Sequence, residues 1–367
     1  MQPIKIIISG GGTGGHIFPA IAIANALKQL QPNTEILFVG AQGKMEMEKV
    51  PTAGYKIIGL PVVGLQRRLT LKNLKFPFLL YKSLQQAKRI IKEFNPAVVV
   101  GVGGYASGPM LKIACKKNIA TLIQEQNSFP GLTNRLLAKK VNKICVAYPN
   151  MENFFPKNKI ILTGNPVRQD ISNLEAKRAR GYELFQLSPN QKTVLVVGGS
   201  LGAKTINESI LAGLENFSNH QIQLIWQTGK SFYEVAKNAT QKYHKNSIFC
   251  FDFISQMDYA YAIADVVVSR AGAISISEIC LAAKAAILVP SPNVAEDHQT
   301  KNALALINNN AAELVKDNEA KELLVKKVID LLNDDNHCER LQRNAYRMAF
   351  SDAANVIAAE VLKLANP

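Results

Sequence analysis

The sequence lacks the features that mark a membrane-spanning, secreted or disulfide-stabilised protein. No apolar run reaches the roughly 18 residues that cross a bilayer. The opening MQPIK leads directly into an apolar strand and carries no signal-peptide pattern. The five cysteines lie far apart and form no CxxC pair, so we expect reduced thiols in the cytoplasm. With 367 residues, 47% of them hydrophobic, the chain is expected to form two soluble domains.

Acidic residues are scarce in the first half of the chain. Residues 1–165 carry 22 lysines and arginines against 6 acidic residues, whereas the remainder carries 21 against 22. Residues 49–92 contain ten basic residues and no acidic residue at all. Such a one-sided field predicts an anionic partner, whether nucleic acid, acidic lipid or a polyphosphate.

Apolar strands alternate with helical patterns along both halves, which predicts βαβ units and buried parallel strands. The segments KIIISGGGTGGHIFPAIAIANAL and TVLVVGGSLGAKTINESILAGL both read as strand, glycine-rich turn and amphipathic helix, which indicates an internal duplication. We therefore predict an α/β fold of two Rossmann-like domains facing each other across a ligand-binding cleft. The predicted strands are Ile4–Ser9, Glu35–Val39, Ala97–Gly101, Thr121–Gln124, Ile144–Ala147, Thr193–Val197, Gln223–Gln227, Ser247–Phe251, Val266–Ser269 and Ala286–Val289.

Turn residues at Gly164, Asn165 and Pro166 set the predicted domain boundary. The first domain is expected to span residues 1–165 and the second residues 166–345. An alanine-rich helix is predicted over Arg343–Leu364, and we expect residues from about 346 to 367 to pack back onto the first domain.

Both glycine-rich turns admit more than one interpretation. Glycines between a strand and a helix bring backbone N–H groups close to an anion. Residues 10–15 match GxGxxG, but the second strand lacks the terminal acid that holds a dinucleotide ribose. Residues 198–202 match GxSxG, in which Ser200 would be an esterase nucleophile. The available partners, Asp297 and His298, are adjacent, and neighbours in sequence rarely form two members of one triad.

A third polar cluster follows two further predicted strands. Gly103, Gly104 and Tyr105 follow one strand, and Glu125 and Asn127 follow the next. Because the carboxyl ends of parallel strands share one edge of a sheet, these residues are candidates for the same site as the first glycine-rich turn. Ordinary loop polarity is the alternative explanation.

Seven motifs, in order over about 290 residues, resemble one bacterial enzyme family. They are GGTGGHIFPA, GGYASGP, EQNSFPGLTN, GNPVR, VVGGSLGA, SRAGAISISE and DHQTKNA. Together they are similar to the UDP-N-acetylglucosamine–N-acetylmuramyl-(pentapeptide) pyrophosphoryl-undecaprenol N-acetylglucosaminyltransferases. The resemblance implies a GT-B glycosyltransferase, peripheral to the cytoplasmic face of the inner membrane. It implies inverting transfer from UDP-N-acetylglucosamine to the 4-hydroxyl of the lipid-linked N-acetylmuramyl-pentapeptide, a step of peptidoglycan synthesis that serves cell shape and division.

The resemblance also assigns roles to residues. Asn127 would touch the sugar, and Ile254 would meet the uracil through its backbone. Gln256 stands where the family pattern has an aspartate, which bears only on the detail of the uracil pocket. Three residues, Thr13, Gly14 and Gly15, would line the donor and acceptor cleft. The donor diphosphate, ribose and sugar would be held by Arg168, Ser200, Ala273, Ile274, Ser275, Ile276, Ser277, Glu278 and Gln299.

Inverting transfer requires a base for the acceptor hydroxyl and a stabiliser for the departing diphosphate. His16, at the start of the helix after the first glycine-rich turn, is the best-positioned base candidate, and Glu125 is its competitor. Ser275 and Glu278 also match a capping box, which offers a purely structural explanation for both. The sequence contains no DxD motif, so no metal and no other cofactor is expected.

The acid-free segment contains a predicted helix with a basic, apolar start. Its predicted buried seam consists of Leu80, Leu84, Ala87, Ile91 and Phe94. Apolar side chains ringed by lysines suit shallow insertion among anionic headgroups, although a solvated basic face would show the same pattern. The candidate membrane contacts are Phe76, Phe78, Leu79, Lys72, Lys75 and Lys82.

Other functions fit the sequence less completely. A soluble UDP-sugar epimerase would need the same nucleotide loops but no charged N-terminal face. A dinucleotide oxidoreductase is disfavoured by the missing acid, and a lipid-binding module would not need Arg168, Ser200 and Glu278. Nucleic acid is not expected as a partner, because no nucleic-acid-binding motif is present.

Overall fold

The structure is a computed structural model that describes residues 3–62, 76–171 and 173–366. The chain divides into two compact units. Unit 1 comprises Met1–Val167 together with Asp352–Pro367, and unit 2 comprises Arg168–Ser351. The division therefore falls after Val167, compared with the predicted residue 165. No described helix combines the length and the apolar character that crossing a membrane requires.

Unit 1 is built on a parallel sheet whose helices connect successive strands. Its strands are β1 (Lys5–Ser9), β2 (Glu35–Ala41), β3 (Lys56–Leu60), β4 (Val98–Gly101), β5 (Ala120–Glu125), β6 (Lys143–Val146) and β7 (Ile160–Leu162). Its helices before the division are α1 (Gly14–Leu30), α2 (Glu46–Thr52), α3 (Phe76–Phe94), α4 (Ser107–Lys116) and α5 (Leu132–Leu137). The strand order is β3-β2-β1-β4-β5-β6-β7, and every neighbouring pair is parallel.

Unit 2 repeats this plan. Its strands are β8 (Thr193–Val197), β9 (Gln223–Gln227), β10 (Ile248–Phe251), β11 (Val266–Ser269), β12 (Ala285–Leu288) and β13 (Glu313–Leu314). Its helices are α6 (Arg178–Phe185), α7 (Lys204–Ala212), α8 (Leu214–Asn219), α9 (Lys230–Thr240), α10 (Met257–Ile263), α11 (Ala273–Leu281), α12 (His298–Ile307), α13 (Ala320–Leu332) and α14 (Asp335–Arg347). The parallel strand order, β10-β9-β8-β11-β12-β13, is the Rossmann order 3-2-1-4-5-6. The prediction of two Rossmann-like α/β domains is confirmed.

The predicted single helix over Arg343–Leu364 is wrong. Helix α14 ends at Arg347, and a separate helix, α15, spans Ala353–Ala365. The intervening turn contains Ser351 and Asp352, residue types that favour helix ends over helix interiors. Helix α15 packs on α1 of unit 1 and is buried along one face against the same cluster of apolar side chains.

Each sheet has one point at which the strand order reverses direction. It lies between β1 and β4 in unit 1 and between β8 and β11 in unit 2. Ligands of doubly wound sheets bind beyond the carboxyl ends of the strands at this switch point. The loops that leave it are residues 10–13 and 102–106 in unit 1, and residues 198–203 and 270–272 in unit 2.

Candidate active site

At the switch point of unit 1, two glycine-rich loops pack backbone against backbone. Gly104 has a φ of 79°, and a Cβ atom there would lie 2.2 Å from the carbonyl oxygen of Gly11. Only glycine permits so close an approach. The Ser9 hydroxyl donates to the carbonyl of Ala106 over 3.0 Å and fixes the second loop to the end of β1. Tyr105 is exposed on the surface that the two loops form.

His16 lies directly after the first glycine-rich loop, at the start of the helix, where the sequence predicted a candidate base. Helix α1 begins at Gly14, so Gly14, Gly15 and His16 form its first turn, with Thr13 as the N-cap residue. The Thr13 Oγ1 and His16 Nδ1 atoms are 3.1 Å apart. The imidazole covers Gly103, where a Cβ atom would lie 2.8 Å from His16 Nε2. The structure thus brings five residues that the sequence predicted together at the switch point of unit 1: Thr13, Gly14, Gly15, His16 and Gly103.

Glu46 is a buried carboxylate that sequence reasoning missed. It lies in the first turn of α2, and its side chain reaches back to the first glycine-rich loop. Its Oε2 accepts the Gly12 N–H over 3.0 Å, and its Oε1 accepts the Ala41 N–H over 2.8 Å. An acid after β2 does therefore reach the loop, but it binds the protein's own amide groups. The sequence signal for this contact was an acidic residue five positions beyond the end of β2. It was missed because that residue lies inside a helix and not at the end of a strand.

Glu125 is engaged by four hydrogen-bond donors. Its Oε1 accepts the backbone N–H of Asn127 over 3.0 Å and the Asn127 side-chain amide over 3.2 Å. Its Oε2 accepts the Gly131 N–H over 3.0 Å and the Asn134 amide over 2.8 Å. A buried carboxylate bound in this way shapes the loop that follows β5. These contacts favour His16 over Glu125 as the candidate base.

The second glycine-rich loop of the duplication lies at the switch point of unit 2. Ser200 is exposed there, in a turn closed by a hydrogen bond of 3.0 Å from the Gly202 N–H to the Gly199 carbonyl. Helix α7 begins only at Lys204, so Ser200 does not occupy the sharp strand-to-helix elbow of an esterase nucleophile. An exposed turn of this kind presents backbone N–H groups to an anion.

Helix α11 presents its N-terminus at the same switch point. Its N-cap residue is Gly272, so Ser275 lies inside the helix and the capping-box interpretation is wrong. The Ser277 hydroxyl donates to the Ala273 carbonyl over 3.0 Å. The first two turns of this helix contain the predicted donor-binding residues Ala273, Ile274, Ser275, Ile276, Ser277 and Glu278.

Glu278 does not cap helix α11 but forms an ion pair with Arg168. The Arg168 Nε and Glu278 Oε1 atoms are 3.1 Å apart, and the Tyr261 hydroxyl lies 3.4 Å from Glu278 Oε2. Burial raises the pKa of the Glu278 carboxyl, and the neighbouring Arg168 opposes this rise. Burial, reinforced by Glu278, also raises the pKa of Tyr261. In the part of the chain that the structure describes, no group of three His, Cys, Asp or Glu side chains could hold a metal ion.

Two more predicted donor residues lie after other strands of unit 2, Ile254 after β10 and Gln299 after β12. The Ile254 N–H donates to the buried side chain of Gln227 over 2.9 Å. Gln299 lies in the first turn of α12, and its Oε1 accepts the N–H of Ser291 over 2.8 Å. Sequence reasoning missed Gln227. It is the last residue of β9, and the sequence of a strand does not show which loops the side chain at its end will contact.

The predicted membrane helix is α3. Phe78 is 68% exposed and Lys82 is exposed, whereas Phe76 and Leu79 are half-buried. Lys72 and Lys75 lie outside the described residues. The buried face of α3 consists of Ser83, Ala87, Ile90 and Ile91, with Leu80, Leu84 and Phe94 only partly buried, so the predicted seam is slightly rotated.

Each unit thus combines a Rossmann sheet with a glycine-rich loop and a helix N-terminus at its switch point. Two such units in one chain are the architecture of the GT-B class of glycosyltransferases. Residues 6–146 match the model of the glycosyltransferase family 28 N-terminal domain, and residues 193–357 match that of the glycosyltransferase family 28 C-terminal domain. The chain belongs to glycosyltransferase family 28.

Relatives of known name resemble the chain over its full length. One from Phocaeicola vulgatus is 57% identical, covering 100% of this chain and 97% of the relative. One from Parabacteroides distasonis is 54% identical, covering 99% of both chains. Both are named UDP-N-acetylglucosamine–N-acetylmuramyl-(pentapeptide) pyrophosphoryl-undecaprenol N-acetylglucosamine transferase. The resemblance seen in the seven sequence motifs is thereby confirmed.

Solved structures show the same fold. MurG of Acinetobacter baumannii is 28% identical with a TM-score of 0.79, covering 98% of this chain and 100% of that one. A UDP-GlcNAc 2-epimerase from Neisseria meningitidis bound to UDP-GlcNAc is 14% identical with a TM-score of 0.68, covering 98% and 100%. The second similarity concerns the fold alone.

Proposed function

We propose that this enzyme transfers N-acetylglucosamine from UDP-N-acetylglucosamine to the 4-hydroxyl of undecaprenyl-diphospho-N-acetylmuramoyl-pentapeptide. The products are the disaccharide lipid precursor of peptidoglycan and UDP. The observation that carries this proposal is identity above 50% over the whole chain with transferases of that name. The arrangement of both switch points supports it independently.

Unit 2 binds the donor in this proposal. The N-terminus of α11 and the exposed turn at Ser200 direct backbone N–H groups and the positive end of a helix dipole at the diphosphate. Arg168 adds a fixed positive charge, which stabilises the negative charge that develops on the departing UDP. Glu278 hydrogen-bonds the ribose hydroxyls, and Gln299 contacts the hydroxyls of the sugar. The Arg168–Glu278 pair of 3.1 Å holds both side chains ready before the nucleotide arrives.

Unit 1 binds the acceptor and supplies the base. Its paired glycine-rich loops, with Tyr105 and Asn127, receive the acceptor diphosphate and the reacting sugar. His16 Nε2 takes the proton of the 4-hydroxyl as that oxygen bonds to C1 of N-acetylglucosamine and the bond from C1 to the phosphate oxygen breaks. Thr13 Oγ1 lies 3.1 Å from His16 Nδ1 and can accept the proton of that ring nitrogen, which is the tautomer in which Nε2 is the base. No metal or other cofactor takes part in this scheme.

The lipid-linked acceptor also requires contact with a membrane. We assign this contact to the exposed start of α3 on the strongly basic unit 1, at the cytoplasmic face of the inner membrane. Phe78 and Tyr81 expose 68% and 62% of their surface beside Lys82, a composition suited to anionic headgroups. Helix α4 packs between α3 and α5, and α5 exposes Leu132 and Leu136, two apolar side chains that sequence reasoning did not select.

The decisive assay measures UDP release from UDP-N-acetylglucosamine with and without detergent-solubilised lipid-linked acceptor. Release that requires the acceptor supports the transferase. Release without it, or conversion of the UDP-sugar to its 2-epimer, contradicts the proposal and favours an epimerase on the same fold.

Two variants separate the donor site from the base. His16→Ala should lower kcat at saturating donor by about 100-fold or more, because general-base catalysis contributes on that order, while the KM for the donor changes little. Glu278→Ala should mainly raise the KM for the donor. Full turnover by His16→Ala at saturating donor would show that another group removes the proton.

A further inference from the structure

We propose that Gln227 is a positioning residue for the donor nucleotide. Its single amide group holds the loop that binds the diphosphate and the backbone that binds the uracil in a fixed relation to each other. This inference rests on the proposed function, in which Ser200 serves the diphosphate and Ile254 serves the uracil.

Gln227 occupies the only described strand end that neighbours both of these loops. It is the last residue of β9, which lies between β8 and β10 in the sheet of unit 2. It is paired with Val197, the last residue of β8, and with Phe251, the last residue of β10. The diphosphate loop follows β8 and the uracil loop follows β10, so both leave the sheet beside Gln227.

The amide of Gln227 contacts both loops at once. Its Nε2 donates to the Gly199 carbonyl over 3.2 Å, and its Oε1 accepts the Ile254 N–H over 2.9 Å. The residue is only 2% exposed, so water competes poorly for these bonds. A carboxamide offers a donor and an acceptor from one planar group. Glutamate in its charged form offers only acceptors, and leucine offers neither.

The contact with Ile254 has a consequence for base recognition. In this proposal the Ile254 N–H stays bonded to Gln227 when the nucleotide binds, so the backbone group of Ile254 that meets the uracil is its carbonyl. A carbonyl accepts the N3–H of uracil but has nothing to accept from the unprotonated N3 of cytosine. Gln227 thereby favours UDP over CDP, although it does not touch the base itself.

Two substitutions at this position separate the two bonds. Gln227→Glu keeps an acceptor for Ile254 but directs a carboxylate oxygen at the Gly199 carbonyl. In this variant we expect the ratio of the affinity for UDP to the affinity for UMP to fall about tenfold. The preference for UDP over CDP should be kept. Gln227→Leu removes both bonds and should lower both ratios by about tenfold. Dissociation constants for UDP, UMP and CDP, measured by calorimetry on the full chain, give these ratios.

Gln223 provides a matched control on the same strand. It is the first residue of β9 and fully buried, and its amide donates to Ser188 and Thr193 at the opposite edge of the sheet. Gln223→Leu should lower the melting temperature but leave both affinity ratios within about twofold of wild type. With acceptor present, the Gln227 variants should raise the KM for UDP-N-acetylglucosamine and change kcat far less.

The outcomes distinguish this inference from the proposed function. A wild-type chain that fails to bind UDP overturns both. A wild-type chain that binds UDP, with unchanged ratios in the Gln227 variants or equal changes in Gln223→Leu, overturns the positioning role alone. If Gln227→Leu does not fold, Gln227→Glu decides, because an unchanged UDP-to-UMP ratio in that variant excludes the bond to the diphosphate loop.

Discussion

Glu46 is the residue on which the first glycine-rich loop depends most directly. Glu46→Ala leaves the N–H groups of Gly12 and Ala41 without their carboxylate acceptor. Hydrogen bonds to a charged group contribute about 1.5–3 kcal/mol each, and a buried donor without a partner is costly. We expect unit 1 to lose about 2–4 kcal/mol of unfolding free energy. Urea unfolding, together with amide exchange of residues 10–17, measures this loss.

Glu48 serves as the control for this substitution. It lies in the same helix, but its side chain is 77% exposed and pairs with the exposed Lys49. Exposed ion pairs contribute little, so Glu48→Ala should change the unfolding free energy by about 0.5 kcal/mol or less. Equal effects of the two substitutions would show that Glu46 does not hold the loop.

We expect Lys284 to make the stability of unit 2 depend on pH. Burial lowers the pKa of Lys284 to about 8, with Arg178 as a further cause, while the amine donates to the Ala264 carbonyl over 2.8 Å. Between pH 8 and the ordinary value of 10.5, the unfolded chain therefore holds a proton that the folded chain has released. Stability rises with pH wherever the unfolded state binds more protons.

Lys284→Met should remove this dependence. The unfolding free energy of the wild type relative to the variant should rise by up to about 3 kcal/mol as the pH increases across that range. Urea unfolding of both proteins at several pH values gives the difference, in which other titrating groups cancel. If the unfolding free energies of the two proteins changed in parallel with pH, the pKa of Lys284 would not be lowered in the folded chain.

Backbone geometry by itself pointed to few of the candidate site residues, and the family resemblance supplied the others. The glycines that carry the loops, and His16 behind them, stand out because a strand, a tight turn and a helix follow one another in sequence. Glu46 and Gln227 did not stand out, because their roles arise from contacts between segments that are distant along the chain. The capping box at Ser275 failed because a favourable sequence pattern occurred inside a helix that already begins at Gly272.

At the scale of elements, the exposed start of α3 should control attachment to lipid. Phe78→Ser removes a largely exposed ring, and Lys82→Glu reverses an exposed charge. Each should weaken binding to vesicles of anionic phospholipid by about tenfold, through lost apolar insertion in one case and lost attraction in the other. Co-sedimentation with vesicles measures the change.

Lys321→Glu on α13 is the matched charge reversal in unit 2. It should leave vesicle binding within about twofold, because the proposal assigns lipid contact to unit 1 alone. Unchanged binding of both α3 variants would exclude this helix as the attachment site, whatever the control shows.

Elements were predictable wherever a buried strand is long enough to show its composition. All ten predicted strands are present, and Thr193–Val197, Gln223–Gln227 and Val266–Ser269 have the predicted bounds. Strand β3 escaped prediction because it is only partly buried at the edge of its sheet, and β13 because two residues cannot display a period. Helices α14 and α15 were predicted as one helix. The sequence on both sides of Ser351 contains alanines at helical spacing, and this pattern hides the short turn between the two helices.

At the scale of the whole molecule, unit 1 depends on a helix that follows unit 2 in sequence. Helix α15 buries Ile357 and Val361 in the same apolar cluster as Ile17 and Ile23 of α1. Burial of one such side chain contributes about 1.5–3 kcal/mol, so removal of residues 353–366 should destabilise unit 1 by about 5 kcal/mol. Amide exchange should accelerate in α1 and remain unchanged in β8 and β9. Equal acceleration in both units would contradict the division described above.

This discontinuity sets an order of events during synthesis. Unit 2 is a single uninterrupted segment and can complete its fold as soon as Ser351 has left the ribosome. Unit 1 begins first but finishes last, because the apolar face of α1 stays open until α15 emerges. For the whole interval in which unit 2 is translated, a nascent chain therefore carries an unfinished hydrophobic surface. Chaperone capture is expected at the segment made earliest, not at the one made most recently.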